Sequence, residues 1–428
     1  MKKLIGILLA AAMLFAATSC GGNGVSSGSE SLSESTGGAE LEDNGGMKDD
    51  AYDLKTYLYP LWRGNTVYNE TLWFAGDRSA NLTYEPDEIL SLRSYDLKTT
   101  YEENVDYFAD GKSVYLTEKT RIPYMAENEF HPSSAEASPI AWVKNFRPDL
   151  GTWEDTGKYV YFAEGASICS MQVVVTYRHS DTAEWNLPTD CSAKFPKTMK
   201  KLADGQPIKV EFYGDSITVG ANSSEFVQYA PKAESYANMV KSYIAKRFPA
   251  AQMTFVNKAV GGTDSNWGAG KLSGLSAIDN IEAAEGDHFR VRVLDENPDL
   301  LFIAFGMNDQ NFGADVYKQN IETMITRMRE QNPDTEIMLI SGMIANPDTL
   351  FYNKDYEAYQ KALLELASEY ENVGVARVLD MVRSLYATGK RFQDCTGNNV
   401  NHPNDFMSRV YAQTVVYSLF GEDYISYI

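Results

Sequence analysis

Two blocks in the C-terminal half of the chain carry the side chains needed for nucleophilic attack on a carbonyl group. Ser216 follows Gly214-Asp215, and a serine hydroxyl becomes a nucleophile when a base takes its proton. The chain has four histidines, and His402 is the candidate base because it alone falls in a loop at the end of the predicted sheet where the serine lies. The others occupy strand-rich or acidic polar segments: His131, His179 and His288.

Two further blocks could stabilise the oxyanion that such an attack creates. Gly261-Gly262 leaves backbone N–H groups open to a ligand that approaches closely. Asn308, in Gly306-Met307-Asn308-Asp309, can donate a side-chain amide hydrogen to the developing charge. Taken alone, each block also fits a tight turn or a cap. Together the four blocks supply nucleophile, base, backbone donor and side-chain donor.

The four blocks lie at the ends of segments that predict an open parallel sheet. From about residue 196 the sequence alternates apolar, strand-like runs with segments of helical periodicity. In such α/β sheets ligands bind beyond the carboxyl ends of the strands, so the chemistry is expected there. Strands are predicted at 208–213, 253–260, 300–305, 337–341 and 375–379, and helices at 231–248, 317–328, 356–370 and 407–419.

In this order, the four blocks resemble the SGNH (GDSL-type) hydrolases, a family named for its Ser, Gly, Asn and His. The resemblance covers roughly 201–420 and implies a three-layer α/β sandwich around a five-stranded parallel sheet. It implies that Ser216 is the nucleophile and His402 the general base. It also implies an oxyanion hole formed by the backbone N–H groups of Ser216 and Gly262 with the Asn308 side chain. Neither a metal nor an organic cofactor is implied.

One position departs from the family pattern. The family usually has an aspartate three residues before the histidine, where this chain has Asn399. Asn can accept a hydrogen bond but cannot stabilise an imidazolium by charge. Three alternatives stay open: a Ser–His dyad with Asn399 or a main-chain carbonyl as orienter, which is favoured, or recruitment of Asp394 or of Asp405. Asp405 also suits the first turn of the last helix.

Residues 51–195 predict an all-β sandwich domain, jelly-roll-like, before the hydrolase domain at 196–428. Short runs rich in Val, Tyr, Trp, Phe and Thr alternate with turn residues, and strands are predicted at 66–74, 89–94, 113–116, 159–163 and 171–177. This domain order also resembles the family-two carbohydrate esterases, which deacetylate polysaccharides. Four tryptophans could line a glycan-binding face, although core packing is favoured: Trp62, Trp73, Trp142 and Trp153. Trp267 could form a wall of the acyl or sugar site, or pack against the domain.

The N-terminus predicts export and a lipid anchor. Lys2 and Lys3 precede an apolar run to Ala17, and small residues lead into Cys20, as in a bacterial lipoprotein signal peptide over 1–20. Residues 21–50 are Ser-, Gly- and Glu-rich and predict a disordered tether. We therefore expect an exported lipoprotein of a bacterium, facing the cell surface or periplasm, that contacts the membrane through lipid on Cys20.

Composition and cysteine content limit the remaining functions. The net charge of −21 argues against nucleic acid, which is bound by clustered Lys and Arg. Cys169, Cys191 and Cys395 allow one disulfide or buried free thiols and show no zinc-site spacing.

The sequence thus predicts a serine ester hydrolase that removes short acyl groups, above all acetyl, from an acylated carbohydrate. A lipase or thioesterase, a peptidoglycan O-acetylesterase and a non-catalytic glycan-binding lipoprotein are the alternatives.

Overall fold

A computed structural model of the protein describes residues 50–133, 146–147, 152–153, 159–271, 281, 286–349 and 355–428. The predicted signal peptide with Cys20, the tether up to residue 49, Trp142 and the side chain of Trp153 lie outside these ranges. Within them, no helix combines the length and the apolar character needed to cross a membrane.

The described residues form fourteen strands, eleven α-helices with defined bounds, three 3-10 helical turns and one π-helical turn. The strands are β1 (Thr66–Leu72), β2 (Ser79–Asn81), β3 (Glu88–Ser94), β4 (Thr100–Tyr101), β5 (Tyr107–Asp110), β6 (Ser113–Leu116), β7 (Phe146–Arg147), β8 (Thr152–Trp153), β9 (Val173–Arg178), β10 (Pro207–Gly214), β11 (Gln252–Asn257), β12 (Leu300–Ala304), β13 (Glu336–Ile340) and β14 (Val373–Ala376). The α-helices are α1 (Leu54–Leu58), α2 (Glu127–Phe130), α3 (Pro196–Ala203), α4 (Ser216–Val219), α5 (Tyr236–Arg247), α6 (Ser265–Gly268), α7 (Ala314–Gln331), α8 (Tyr356–Glu369), α9 (Val378–Ala387), α10 (Asp405–Phe420) and α11 (Asp423–Tyr427). The 3-10 turns are Cys169–Met171, Ser192–Lys194 and Phe392–Cys395, and the π-helical turn is Arg290–Leu294.

Strands β10 to β14 form one five-stranded parallel sheet in the order β11-β10-β12-β13-β14. The central strand β12 has the sequence Leu-Leu-Phe-Ile-Ala, as expected of a strand that is covered on both faces. Alternate side chains along the strands enter two separate apolar cores. Helices α5 and α10 contribute to one core and α7 and α8 to the other. The predicted three-layer α/β fold is confirmed.

The N-terminal region is built from antiparallel sheets, as the sequence predicts. One sheet has the strand order β1-β9-β3-β4, and a second has the order β2-β6-β5. Trp73 is fully buried and packs edge-on against Phe130, with ring centroids 5.3 Å apart. Trp62 packs edge-on against Tyr417 at 6.0 Å. These two tryptophans therefore pack against the protein, which is the favoured prediction.

The antiparallel sheets are joined to the loop that leads to His402. Glu70 on β1 forms an ion pair of 2.6 Å with Lys390, and both side chains are fully buried. The backbone N–H of Trp73 donates to the Asp394 carboxylate at 2.7 Å. Removing one partner of a buried ion pair strongly destabilises the folded protein, because the other charge is then buried without compensation. These bonds therefore fix the N-terminal region against the segment 390–396.

Several predicted elements differ in detail from the structure. Residues 159–163 form no strand, since their backbone makes only isolated bonds such as Tyr161 N–H to the Phe130 carbonyl at 2.9 Å. The apolar run 375–379 is not one strand, because β14 ends at Ala376 and α9 begins at Val378. Two short helices, α1 and α2, occur within the region that the sequence predicts to be all-β. The three described cysteines are free thiols.

Candidate active site

Ser216 lies at the first position of α4, two residues after the last residue of strand β10. The chain can turn there because position 214 is glycine: a Cβ would collide with the Ala304 carbonyl oxygen and the Thr218 side chain. The Asp215 carboxylate then accepts the Ile217 N–H at 2.9 Å and caps the short helix. Strand end, tight turn and cap together present the Ser216 hydroxyl at the carboxyl edge of the sheet.

The imidazole of His402 lies beside this hydroxyl. His402 Nε2 and Ser216 Oγ are 2.8 Å apart, and both residues are buried. The His402 loop is held from within. Thr396 Oγ1 donates to the His402 carbonyl at 2.9 Å, and the Asn398 side-chain oxygen accepts three backbone N–H groups, His402's among them, at 3.0 Å each. The structure thus brings together the two residues that the sequence proposes as nucleophile and base.

Asn222 sets the orientation and tautomer of the ring. Its Nδ2 donates to the carbonyl oxygens of Gly397 at 3.3 Å and Gly165 at 3.5 Å. Because both of those partners are acceptors, the amide oxygen must face His402 Nδ1, 2.7 Å away. Nδ1 therefore carries the proton, and Nε2 is free to accept the Ser216 hydroxyl hydrogen. This is the arrangement that general-base activation of a serine requires.

None of the three residues proposed to orient His402 contacts its ring, so that expectation is corrected. The side-chain nitrogen of Asn399 donates to the Tyr161 carbonyl at 2.9 Å. Asp394 binds the Trp73 N–H and the Arg391 guanidinium. Asp405 accepts the Ser224 N–H at 2.8 Å, and burial raises the pKa of its carboxyl to about 6. Each side chain is already committed to holding a loop or helix end. No main-chain carbonyl is needed either, because the Asn222 side chain occupies the position next to Nδ1.

Trp267 is not a wall of the site. Its indole is fully buried and stacks on His288, with ring centroids 4.5 Å apart and an interplanar angle of 13°. The Arg292 guanidinium lies 5.5 Å from the same ring. The cap of α6, where the Asp264 carboxylate accepts the Trp267 N–H at 2.8 Å, holds the indole in the core. Of the two expectations for Trp267, the structure shows the packed side chain.

The glycine and asparagine blocks lie at the same sheet edge as Ser216. The Val260 N–H donates to the Gly214 carbonyl at 2.9 Å, which joins the glycine loop to the turn before the serine. Gly262 has φ 81°, a left-handed conformation that glycine adopts without strain. Asn308 Nδ2 donates to the Thr263 carbonyl at 2.9 Å. An amide nitrogen carries two hydrogens, so this bond leaves one that can donate to a ligand.

Sequence reasoning missed two residues beside the imidazole, Asn222 and Glu164. Asn222 follows Ser216 by six positions without belonging to any of the four blocks. Its φ of 64° is a weak signal for asparagine, which tolerates the left-handed region better than most residues. Glu164 belongs to the N-terminal region, and one of its carboxylate oxygens lies 3.7 Å from His402 Nδ1. No local pattern relates these positions to His402.

A serine hydroxyl, an imidazole with the matching tautomer and backbone donors at the edge of a parallel sheet define the class of serine hydrolases. Residues 212–410 match the GDSL-like Lipase/Acylhydrolase family. This part of the chain therefore has the fold and the reactive side chains of an SGNH-type (GDSL-like) hydrolase domain.

Solved structures with low sequence identity resemble parts of the chain. A two-domain esterase active on acetylated mannans is 20% identical with a TM-score of 0.40, covering 53% of this chain and 53% of that one. The protein thus spans about half the length of that esterase. An acetylxylan esterase from Geobacillus stearothermophilus is 16% identical with a TM-score of 0.38, covering 51% of this chain and 96% of that one. A family 3 carbohydrate esterase from Talaromyces cellulolyticus is 17% identical with a TM-score of 0.36, covering 49% and 94%. No curated protein matches the chain.

Proposed function

We propose that the protein removes acetyl groups from polysaccharide at the bacterial cell surface, held there by lipid on Cys20. The observation that carries the proposal is the 2.8 Å contact of His402 Nε2 with Ser216 Oγ, on a ring whose Nδ1 proton is fixed by Asn222. The exported address is supported by the basic and apolar N-terminus that leads into Cys20. A carbohydrate substrate is supported by the resemblance to two-domain carbohydrate esterases.

The proposed reaction proceeds through an acyl-enzyme. Ser216 Oγ bonds to the ester carbonyl carbon while its proton passes to His402 Nε2. The tetrahedral oxyanion accepts hydrogen bonds from the Ser216 and Gly262 N–H groups and the Asn308 amide. The C–O bond to the sugar breaks, and the sugar oxygen takes the proton from Nε2. Water then attacks the acyl-enzyme and gives one proton to Nε2, and the Ser216 oxygen recovers that proton as acetic acid leaves.

The enclosure of the nucleophile favours a small acyl group. Only 3% of the Ser216 surface and 2% of the His402 surface are exposed to solvent. An acetyl group brings one methyl beyond its carbonyl, whereas a fatty acyl chain needs a long apolar channel beside the serine. The proposed substrate is therefore a short-chain ester of a large, water-exposed alcohol such as a sugar.

Replacing Asn308 with alanine is expected to lower kcat about 10²–10³-fold, since losing one oxyanion donor has this effect in comparable hydrolases. KM should change little, because the bond strengthens only in the transition state. Steady-state kinetics on a nitrophenyl acetate measures both values. The matched control is Asn332→Ala, which removes an exposed amide that bonds to Asn297 and should leave kcat unchanged. An Asn308→Ala enzyme as fast as the wild type would exclude this oxyanion role.

The function is tested by rates on nitrophenyl esters of increasing acyl length and by acetate release from acetylated mannan and xylan. We expect the acetyl ester to react fastest, with rates falling steeply beyond about four carbons. Faster turnover of long chains would favour a lipase or thioesterase, and release from acetylated peptidoglycan alone would favour a peptidoglycan O-acetylesterase. Glycan binding without ester hydrolysis would favour the non-catalytic glycan-binding lipoprotein.

Intact cells test the proposed location in the same assay. A surface enzyme acts on a polysaccharide that cannot enter the cell, and Cys20→Ser should shift the activity from the membrane fraction to the soluble fraction. Activity that stays with the membrane in that variant would contradict the lipid anchor.

A further inference from the structure

Glu164 of the N-terminal region lies against the ring nitrogen of His402 that faces away from the serine. Its Oε1 is 3.7 Å from His402 Nδ1, and 28% of its side-chain surface is exposed. The Asn398 amide, from the loop that carries His402, donates to the same oxygen at 3.2 Å. The neighbouring Gly165 carbonyl accepts from Asn222. Residues 164 and 165 therefore contact the two amide side chains, Asn398 and Asn222, that hold the His402 loop and its imidazole.

The charges around this carboxylate favour its ionised form. Burial raises the pKa of Glu164, but the attraction of His402 and the polar side chains of His402, Asn398 and Asn222 outweigh burial and hold the pKa below its usual range. His402 is the titratable group that faces it, and Asn398 and Asn222 are neutral donors. Glu164 thus carries a negative charge at neutral pH, beside a ring that must become positive during the reaction.

We propose that Glu164, from the N-terminal region, is a positioning residue of this active site: its carboxylate lies beside His402 Nδ1, on the side of the imidazole away from Ser216. The aspartate that the family usually supplies three residues before the histidine is replaced here by Asn399, whose side chain points to Tyr161 instead. Asn222 provides the hydrogen bond to Nδ1 but no charge. Glu164 supplies that charge from 238 positions earlier in the chain. Two residues thus share the role that a single aspartate has in a Ser–His–Asp triad.

The protons move without passing through Glu164. When Ser216 attacks, its proton goes to Nε2, and Nδ1 keeps its own proton on the Asn222 oxygen. The imidazolium then has the Glu164 carboxylate 3.7 Å from Nδ1, and the attraction is partly screened because the carboxylate is partly exposed. When Nε2 gives its proton to the leaving sugar oxygen, the ring is neutral again and Glu164 is still ionised.

This inference rests on the proposed esterase function and is tested by Glu164→Gln, which keeps the size and removes the charge. We expect kcat to fall about 10–100-fold with KM nearly unchanged. This fall in kcat corresponds to an increase of about 1.4–2.7 kcal/mol in the activation free energy, at about 1.36 kcal/mol per tenfold change. Glu164→Asp should recover much of the rate, because it restores the negative charge that Glu164→Gln removes. The exposed Glu118 provides the matched control, Glu118→Gln.

The outcomes separate this inference from the function beneath it. An active wild type with a Glu164→Gln variant of equal kcat would overturn the role of Glu164 and leave the esterase function standing. A Glu164→Gln variant whose kcat falls together with its melting temperature, without recovery of kcat in Glu164→Asp, would show a structural role only, which also overturns the inference. A wild type inactive on every ester would remove the function and this inference with it.

Discussion

The Ser216→Ala enzyme is expected to fold normally and to lose ester hydrolysis by on the order of 10⁵–10⁶ in kcat, the loss seen when a serine nucleophile is removed from a comparable site. Without the hydroxyl, no acyl-enzyme can form, and His402 has no proton to accept. Deleting one small oxygen should leave the fold unaffected, because Asp215 still caps α4 through the Ile217 N–H. The measurements are nitrophenyl acetate kinetics and a thermal melt.

The same experiment tests whether Ser216 and His402 act as one unit. His402→Ala should reduce kcat to a similar level, and the double variant should be no slower than either single variant, because residues that act together are not additive. Ser170→Ala is the control, since this exposed hydroxyl donates to the Ser167 carbonyl within its own turn. A Ser216→Ala enzyme that retains a tenth of the wild-type rate would place the chemistry elsewhere.

The sheet and the position of its reactive edge could be predicted because they depend on local patterns. Apolar runs such as 300–305 are long enough to identify buried parallel strands. The carboxyl ends of parallel strands share one edge, so the residues just after them must lie near one another. Ser216 after β10 and Asn308 after β12 follow from that rule alone. His402, in the loop before α10, also reaches this edge.

The support of the imidazole could not be predicted, because it depends on contacts between distant segments. His402 is 180 positions from Asn222 and farther still from Glu164. Proximity in sequence favoured Asn399, Asp394 and Asp405 instead. All three lie close to His402 along the chain, yet the turn from Thr396 to Pro403 directs Asn399 toward Tyr161. Sequence distance was a poor guide because this loop doubles back on itself.

The errors in the remaining elements have similar physical causes. The run 375–379 is apolar throughout, but it contains the end of a strand and the first turn of a helix, and short apolar runs do not distinguish the two. Trp267 follows a glycine-rich loop near the reactive edge, which suggested a substrate contact. Its burial against His288 depends on the packing of the segment around 288–294, which is not visible in the sequence.

A carboxyl group in the centre of the sheet is expected to make the stability of the protein strongly dependent on pH. Glu211 on β10 is fully buried, and among the described residues neither of its oxygens has a hydrogen-bond partner. Burial, reinforced by the nearby Glu296, raises the pKa of Glu211 to about 9, although Lys258 and Lys209 oppose the shift. The folded protein therefore holds this side chain as a neutral acid at pH 7.

The direction of the effect follows from comparing the folded and unfolded states. Below the ordinary carboxyl pKa of 4.5, Glu211 is protonated in both states and has no effect on the pH dependence. As the pH rises from about 4.5 to about 9, the unfolded chain releases the proton while the folded chain keeps it, so stability decreases by up to about 1.4 kcal/mol per pH unit. Above about pH 9 both states are ionised and the loss is complete.

Glu211→Gln should abolish this dependence, because an amide of the same size does not titrate. We expect the variant and the wild type to have similar free energies of unfolding near pH 4.5, and the variant to be more stable by about 2–4 kcal/mol at pH 7.5. Urea unfolding at pH 4.5, 6, 7.5 and 9 measures the difference, with Glu118→Gln as the exposed control that should show no trend. If the gap stays constant between pH 4.5 and 9, Glu211 is already ionised in the folded protein. The buried carboxylate would then have to be stabilised by Lys209 and Lys258, whose ammonium groups the structure pairs with Glu296 at 3.1 and 2.5 Å.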